Sequence, residues 1–118
     1  MKDRHSFSKL EHIRKPLEFS AVFRQGKSYS NERFVVYLLD RKDSGAPRIG
    51  WLISAKVGKA NKRFRIKRLI REVFRLNKGL IKQGYDTVVI PAKKAVEIKN
   101  YEEMKKDLLG LLSRGALK

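Results

Sequence analysis

The sequence predicts an α+β domain, a small sheet packed with about three helices. Three observations carry this reading. Residues 60–76 and 101–113 repeat their apolar side chains at helical spacing. Residues 28–40, 48–57 and 85–91 are rich in β-branched and aromatic residues, or alternate with a period of two. The tracts interleave as helix, two or three strands, helix, strand, helix. The chain has 118 residues, 42% of them hydrophobic, so one domain spanning 1–118 with an ordinary core is expected.

Residues 1–14 are polar and are expected to form a flexible lead-in. In KPLEFSAVFRQG, Pro16 suits a first helical position and Gly26 the residue past the end. Phe19, Val22 and Phe23 then share one face. SYSNERFVVYLLD (28–40) reads as extended, with Phe34, Val36 and Leu38 on one side and Val35, Tyr37 and Leu39 on the other. After the turn-rich RKDSGAP, RIGWLISAKV alternates as a strand over 48–57. Ile49, Trp51, Ile53, Ala55 and Val57 point one way; Arg48, Gly50, Leu52, Ser54 and Lys56 point the other. Helix 60–76 follows. GYDTVVIP is the last strand, ended by Pro91, with Asp86 read as a turn or strand-edge acid. PAKKAVEIKN reads as a linker. Asn100 with Glu103 three residues on marks the start of helix 101–113, whose stripe is Tyr101, Met104, Leu108, Leu111 and Leu112.

The net charge is +17, far beyond what solubility requires, and it destabilises a compact state by self-repulsion. A polyanion would relieve that cost. Nucleic acid is the leading candidate and an anionic membrane surface the second. The chain has no cysteine, which excludes disulfides and thiolate metal sites. No signal-peptide core is present, and no apolar run nears the roughly 20 residues of a membrane span. A cytoplasmic protein that does not engage a membrane is expected. His5 and His12 both fall in the lead-in, and no acids converge; Glu102 and Glu103 fit helix-start electrostatics. No protein-borne catalytic residue and no protein-bound metal are expected.

The charge concentrates in KVGKANKRFRIKRLIREVFR (56–75), which holds nine Lys or Arg and one acid, Glu72. At 100° per residue from Ala60, Ile66, Leu69, Ile70, Val73 and Phe74 fall between about 180° and 320°, one apolar face. Arg65, Arg68, Arg71 and Arg75 fall between about 20° and 140°, nearly opposite. Lys67 and Arg63 lie at the edge of the apolar sector. A solvated face normally mixes signs at i, i+4, and this one does not. Guanidinium forks suit phosphate. Phe64 sits at about 40°, among the arginines, where it either stacks on a base or packs under arginine stems.

This segment resembles the signature of the bacterial ribonuclease P protein subunit: Lys-x-Gly-x-Ala, then Arg-Asn-Arg, then x-Lys-Arg-x-x-Arg-Glu. Lys56, Gly58, Ala60, Arg63, Arg65, Lys67, Arg68, Arg71 and Glu72 match. LEFSAVFRQGKS, RFVVYLLD, RIGWLISAK and YDTVVIPAKK resemble the family's first helix and strands. One position departs: the family's central Asn is Phe64 here. In the family that Asn is implicated near metal and substrate, a role that does not carry over to phenylalanine.

The resemblance implies a small mixed sheet like the second domain of ribosomal protein S5, with a left-handed βαβ crossover through 48–57, 60–76 and 85–91. Handedness rules alone predict the opposite hand. It implies that an RNA subunit with Mg²⁺, held mainly by that RNA and the substrate, cleaves the 5′ leader from precursor tRNA. The protein subunit would bind the catalytic RNA through Arg63, Arg65, Lys67, Arg68, Arg71 and Arg75. It would bind the leader in a cleft of Phe19, Phe23, Val35, Tyr37, Lys56 and Phe64. No obligate protein partner is implied. A general RNA-binding or ribosome-associated protein on a similar fold is the alternative, and a protein nuclease a third reading for which no general base is evident.

Overall fold

The computed structural model describes residues 11–118. Five strands form one sheet in the order β1-β4-β5-β3-β2. These are β1 (Glu11–His12), β2 (Lys27–Ser30), β3 (Phe34–Asp40), β4 (Arg48–Trp51) and β5 (Tyr85–Pro91). Helix α1 (Pro16–Gln25) lies on one face; α2 (Ala60–Asn77) and α3 (Tyr101–Leu112) lie on the other. The flexible lead-in expected over 1–14 extends beyond the described residues at 1–10. From residue 11 the expectation fails: Glu11 and His12 pair in parallel with Arg48 and Ile49, and Ile13 is buried.

Period-two patterning decides which side chains meet which helices. Phe34, Val36, Leu38, Ile49 and Val89 enter the large core with Ile66, Ile70, Val73 and Phe74 of α2 and Met104, Leu108, Leu111 and Leu112 of α3. On the other face Val88 packs with Ile13 and Val22, flanked by Phe19, Tyr37, Leu39 and Ile90. The segment 28–40 is a hairpin rather than one extended stretch. Asn31 Oδ1 accepts the Arg33 and Phe34 N–H groups at 2.8 and 2.9 Å and turns the chain between β2 and β3. The strand expected over 48–57 pairs only to Trp51. Ser54 Oγ then accepts the Lys56 N–H and caps a 3-10 turn, Ala55–Val57. The expected linker 91–100 contains a second such turn, Lys93–Glu97, with Ala95 and Ile98 fully buried.

Helix ends follow local chemistry. Pro16 opens α1, and the Glu18 carboxylate accepts the Arg14 and Lys15 N–H groups at 3.1 and 3.2 Å. These bonds hold Glu18 below its usual carboxylate range. Gly26 follows α1 in an extended conformation. A Cβ there would meet the Val22 and Leu38 carbonyl oxygens at 2.6 and 2.8 Å, so glycine is needed for close approach. Asn100 caps α3 by accepting the Glu103 N–H at 3.0 Å.

The hand of the β4-α2-β5 crossover follows from one residue. The Val89 side chain points into the core on the α2 side, and its carbonyl accepts the Leu52 N–H at 3.1 Å from the β4 side. An L-residue viewed from its side chain, with the strand running upward, directs its own N–H and C=O to the viewer's right. Seen from α2, β4 therefore lies to the right of parallel β5. The chain crosses the front from right to left, which is a left-handed unit against a rule obeyed in about 98% of cases. The side-chain pattern enforces it. On the face opposite α2, the β4 end carries Arg48, Gly50 and the buried Asp86, and the apolar remainder is already covered by α1 through Val22 and Phe19, so α2 packs on the other side.

Asp86 is not an edge acid. It lies in the central strand, 1% exposed, shared by two guanidiniums. Arg41 Nη1 donates to Oδ1 at 2.5 Å; Arg48 Nε and Nη2 donate to Oδ1 and Oδ2 at 2.8 and 2.7 Å. Arg48 Nη1 reaches Glu18 Oε2 at 2.9 Å, tying the start of α1 to the sheet. The hydrogen bonds to Asp86 hold Arg48 more firmly protonated than usual. The sequence missed this network because its members are far apart along the chain.

Candidate nucleic-acid interface

An aromatic surface lies on the α1 side of the sheet. The Phe19 and Phe23 rings are 6.4 Å apart between centroids, and Phe23 meets Tyr37 edge-on at 4.9 Å. Val35 stands two residues before Tyr37 on the same strand face, half-buried opposite Ile90. Val22 anchors α1 in the second core and leaves Phe23 at 36% exposure, so the cluster is open to solvent. Gly50 makes the floor beside it. A Cβ there would sit 3.0 Å from two carbons of the Phe19 ring.

From Gly50 the surface passes into a hollow of about 400 Å³ lined by His12, Ile13, Arg14, Trp51, Lys67 and Arg71. His12 meets Trp51 edge-on at 5.4 Å. Burial, then the charges of Arg14 and Arg71, lower the His12 pKa below 6.5. Lys67 and Arg71 also line a groove of about 430 Å³ on the outer side of α2, with Asn61, Phe64, Arg65 and Arg68. Aromatic cluster, hollow and groove are thus linked through shared residues.

The cations of α2 are differently committed. Arg68 and Arg71 lie exposed along the groove. The Lys67 ammonium stands 5.2 Å from the Phe64 ring centroid. Arg63 Nε donates to the Gly58 carbonyl at 3.0 Å. Arg65 is diverted: its Nη2 donates to the Val96 and Ile98 carbonyls at 3.2 and 2.7 Å and pins the 93–97 turn to α2. Arg75 pairs with Glu72 at 2.6 Å. Lys56 is exposed on its 3-10 turn, outside both hollows. Phe64 is 70% exposed, as its wheel position indicated, and lies on α2 apart from the Phe19–Phe23–Tyr37 cluster.

His12, Arg14 and Trp51 join this surface without having been singled out from sequence. The sequence places His12 in the lead-in and Trp51 on the Ile49 side of a strand. The parallel pairing of β1 with β4 brings His12 beside Trp51 and α2. The whole is a strip of cations and flat rings, suited to a flexible polyanion that carries bases.

A model of the ribonuclease P family matches residues 7–115. The chain belongs to the ribonuclease P protein family. It is 43% identical over 110 residues to the ribonuclease P protein component of Bacillus cereus, covering 93% of this chain and 95% of that protein. It is 41% identical over 112 residues to the Thermotoga maritima component, covering 92% and 95%. The solved ribonuclease P protein of Thermotoga maritima superposes with a TM-score of 0.79 at 40% identity, over 89% of this chain and 97% of that one. The Staphylococcus aureus protein gives 0.79 at 32% identity, over 87% and 93%. Family membership makes the chain an RNA-binding component of tRNA processing, associated with ribonuclease P RNA. No helix among the described residues is long and apolar enough to cross a membrane.

Proposed function

We propose that the chain is the leader-binding subunit of ribonuclease P, assisting Mg²⁺-dependent cleavage at the mature 5′ end of precursor tRNA. The observation that supports this most is the open Phe19–Phe23–Tyr37 cluster, linked across Gly50 to the cations of α2. Single-stranded RNA is held without strong sequence preference by aromatic platforms beside cations. In this reading the cluster takes unpaired leader bases. Lys67, Arg68 and Arg71 hold phosphates of the leader and of the catalytic RNA. Lys56, exposed on the turn before α2, and Arg63, held on the Gly58 carbonyl, add charge at the start of the helix, while Arg65 and Arg75 are engaged by their internal partners.

Mg²⁺ belongs in this reading to the RNA subunit and the substrate. Among the described residues no three His, Asp or Glu side chains converge to hold a metal, and cations dominate the interface. That donor set does not fit a Mg²⁺ site on the protein. The chain's own residues bind and position RNA.

The test is precursor-tRNA cleavage at low Mg²⁺ by a bacterial ribonuclease P RNA, with and without the chain. Cleavage at the mature 5′ end that needs both components supports the reading. RNA binding without any stimulation would reject it in favour of a general RNA-binding role.

A further inference from the structure

We propose that Asn61, Phe64 and Arg68 form a seat for one unpaired nucleotide of the RNA substrate. The base would stack on the Phe64 ring, the Asn61 amide would bond its edge, and Arg68 would hold the adjoining phosphate. The seat rests on the leader-binding reading above and names a subsite within it.

Four observations converge. First, Phe64 has no role in the fold. The apolar stripe of α2 that enters the core is Ile66, Ile70, Val73 and Phe74, and Phe64 projects on the other side, 70% exposed. Second, the ring is already an electrostatic platform. Lys67 lies 5.2 Å from its centroid, one helical turn on, and the residue stays 70% exposed. Third, the residues lie at i, i+3 and i+7, so amide, ring and guanidinium share one stripe and line one groove of about 430 Å³. Fourth, Arg65 is held on the Val96 and Ile98 carbonyls and forms a fixed wall of that groove.

The chemistry selects the occupant. A flat ring among Lys67, Arg68 and Arg71 favours a planar group attached to an anion, which a nucleotide is and an apolar peptide is not. An amide presents a donor and an acceptor together and pairs in two-point fashion with the N6 and N7 edge of adenine. Uracil offers its N3–H and O4 to the same amide, so the preference comes from the ring: adenine presents Phe64 a larger flat face than uracil, and stacking favours adenine.

The experiment is a titration of the full chain with oligoadenylate and oligouridylate carrying a fluorescent adenine analogue, over a series of salt concentrations. Phe64→Ala is expected to weaken oligoadenylate binding about 5- to 150-fold, the range for losing one stacked base. Its salt slope should stay unchanged, because no charge is lost. Phe64→Trp should retain affinity. Asn61→Ala should weaken binding of both oligonucleotides, and an unchanged affinity would remove the amide from the seat. All three positions are exposed, so thermal melts should match the unaltered chain. Retained affinity in Phe64→Ala, with Tyr37→Ala still weakened, would overturn the seat and leave the leader cleft standing. Failure of the unaltered chain to bind either oligonucleotide would overturn the leader reading and the seat together.

Discussion

Removing the Asp86 carboxylate is expected to be the most damaging single change away from the interface. Asp86→Ala deletes three charge-assisted hydrogen bonds from Arg41 and Arg48, at 2.5, 2.8 and 2.7 Å. It leaves two guanidiniums facing each other across the end of β5. Each keeps a partner: Arg41 holds Asp43 and the Ala46 carbonyl, and Arg48 holds Glu18. Breaking a buried pair costs about 3–5 kcal/mol. The two arginine side chains are 16% and 22% exposed, so water reaches them and the lower end, about 3 kcal/mol, applies. With an unfolding entropy of about 0.25 kcal/mol/K for this length, the Tm should fall by about 12 °C. Asp86→Asn, which keeps an acceptor but not the charge, should fall between. Calorimetry or a circular-dichroism melt reads both. A Tm loss under about 4 °C for Asp86→Ala, near 1 kcal/mol, would refute the view that this carboxylate holds the sheet end together.

Three further outcomes are expected. Phe23→Ala or Tyr37→Ala should weaken binding of precursor tRNA by about 1–3 kcal/mol and leave mature tRNA nearly unaffected; equal losses would reject the leader cleft. Arg68→Ala should reduce the salt slope of RNA binding by about 0.7–0.9 per lost phosphate contact, whereas Arg65→Ala should chiefly lower Tm because two carbonyls lose their donor. Comparing slopes and melts for the two variants separates the roles. His12, with its folded pKa below 6.5, binds its proton more weakly than in the unfolded chain. Stability should be full above pH 6.5 and decline as pH falls from there toward the folded value, and His12→Gln should flatten that slope. Phosphates near Arg14 and Arg71 should raise the His12 midpoint in an NMR titration with RNA; an unmoved midpoint would place RNA elsewhere.

What the sequence determined is what local periodicity and local chemistry can encode. Apolar spacing in 60–76 fixed which side of α2 enters the core, because a helix places i, i+3 and i+4 on one face whatever it packs against. Alternation in 34–39 divided Phe34, Val36 and Leu38 from Val35, Tyr37 and Leu39 before any sheet was known. Asn100 with Glu103, and Pro16, marked helix starts through bonds to their own neighbourhoods. The signature around 56–72 carried the family.

Tertiary structure decided whatever depends on residues distant along the chain. Pairing of β1 with β4 turned part of an apparent lead-in into sheet and put His12 beside Trp51 and α2. Asp86 became a buried ionic centre only because β3, β4 and β5 bring Arg41 and Arg48 to it across about 40 residues. Arg65 looked like its outward neighbours on the helical wheel, yet the folded 93–98 segment supplied carbonyls that claimed it. The left-handed crossover has the same origin. Periodicity says which face of a strand is apolar, but not whether its neighbour lies to the left or right. That choice is made when both sheet faces are filled at once, by α1 over Gly50 on one side and by α2 and α3 on the other.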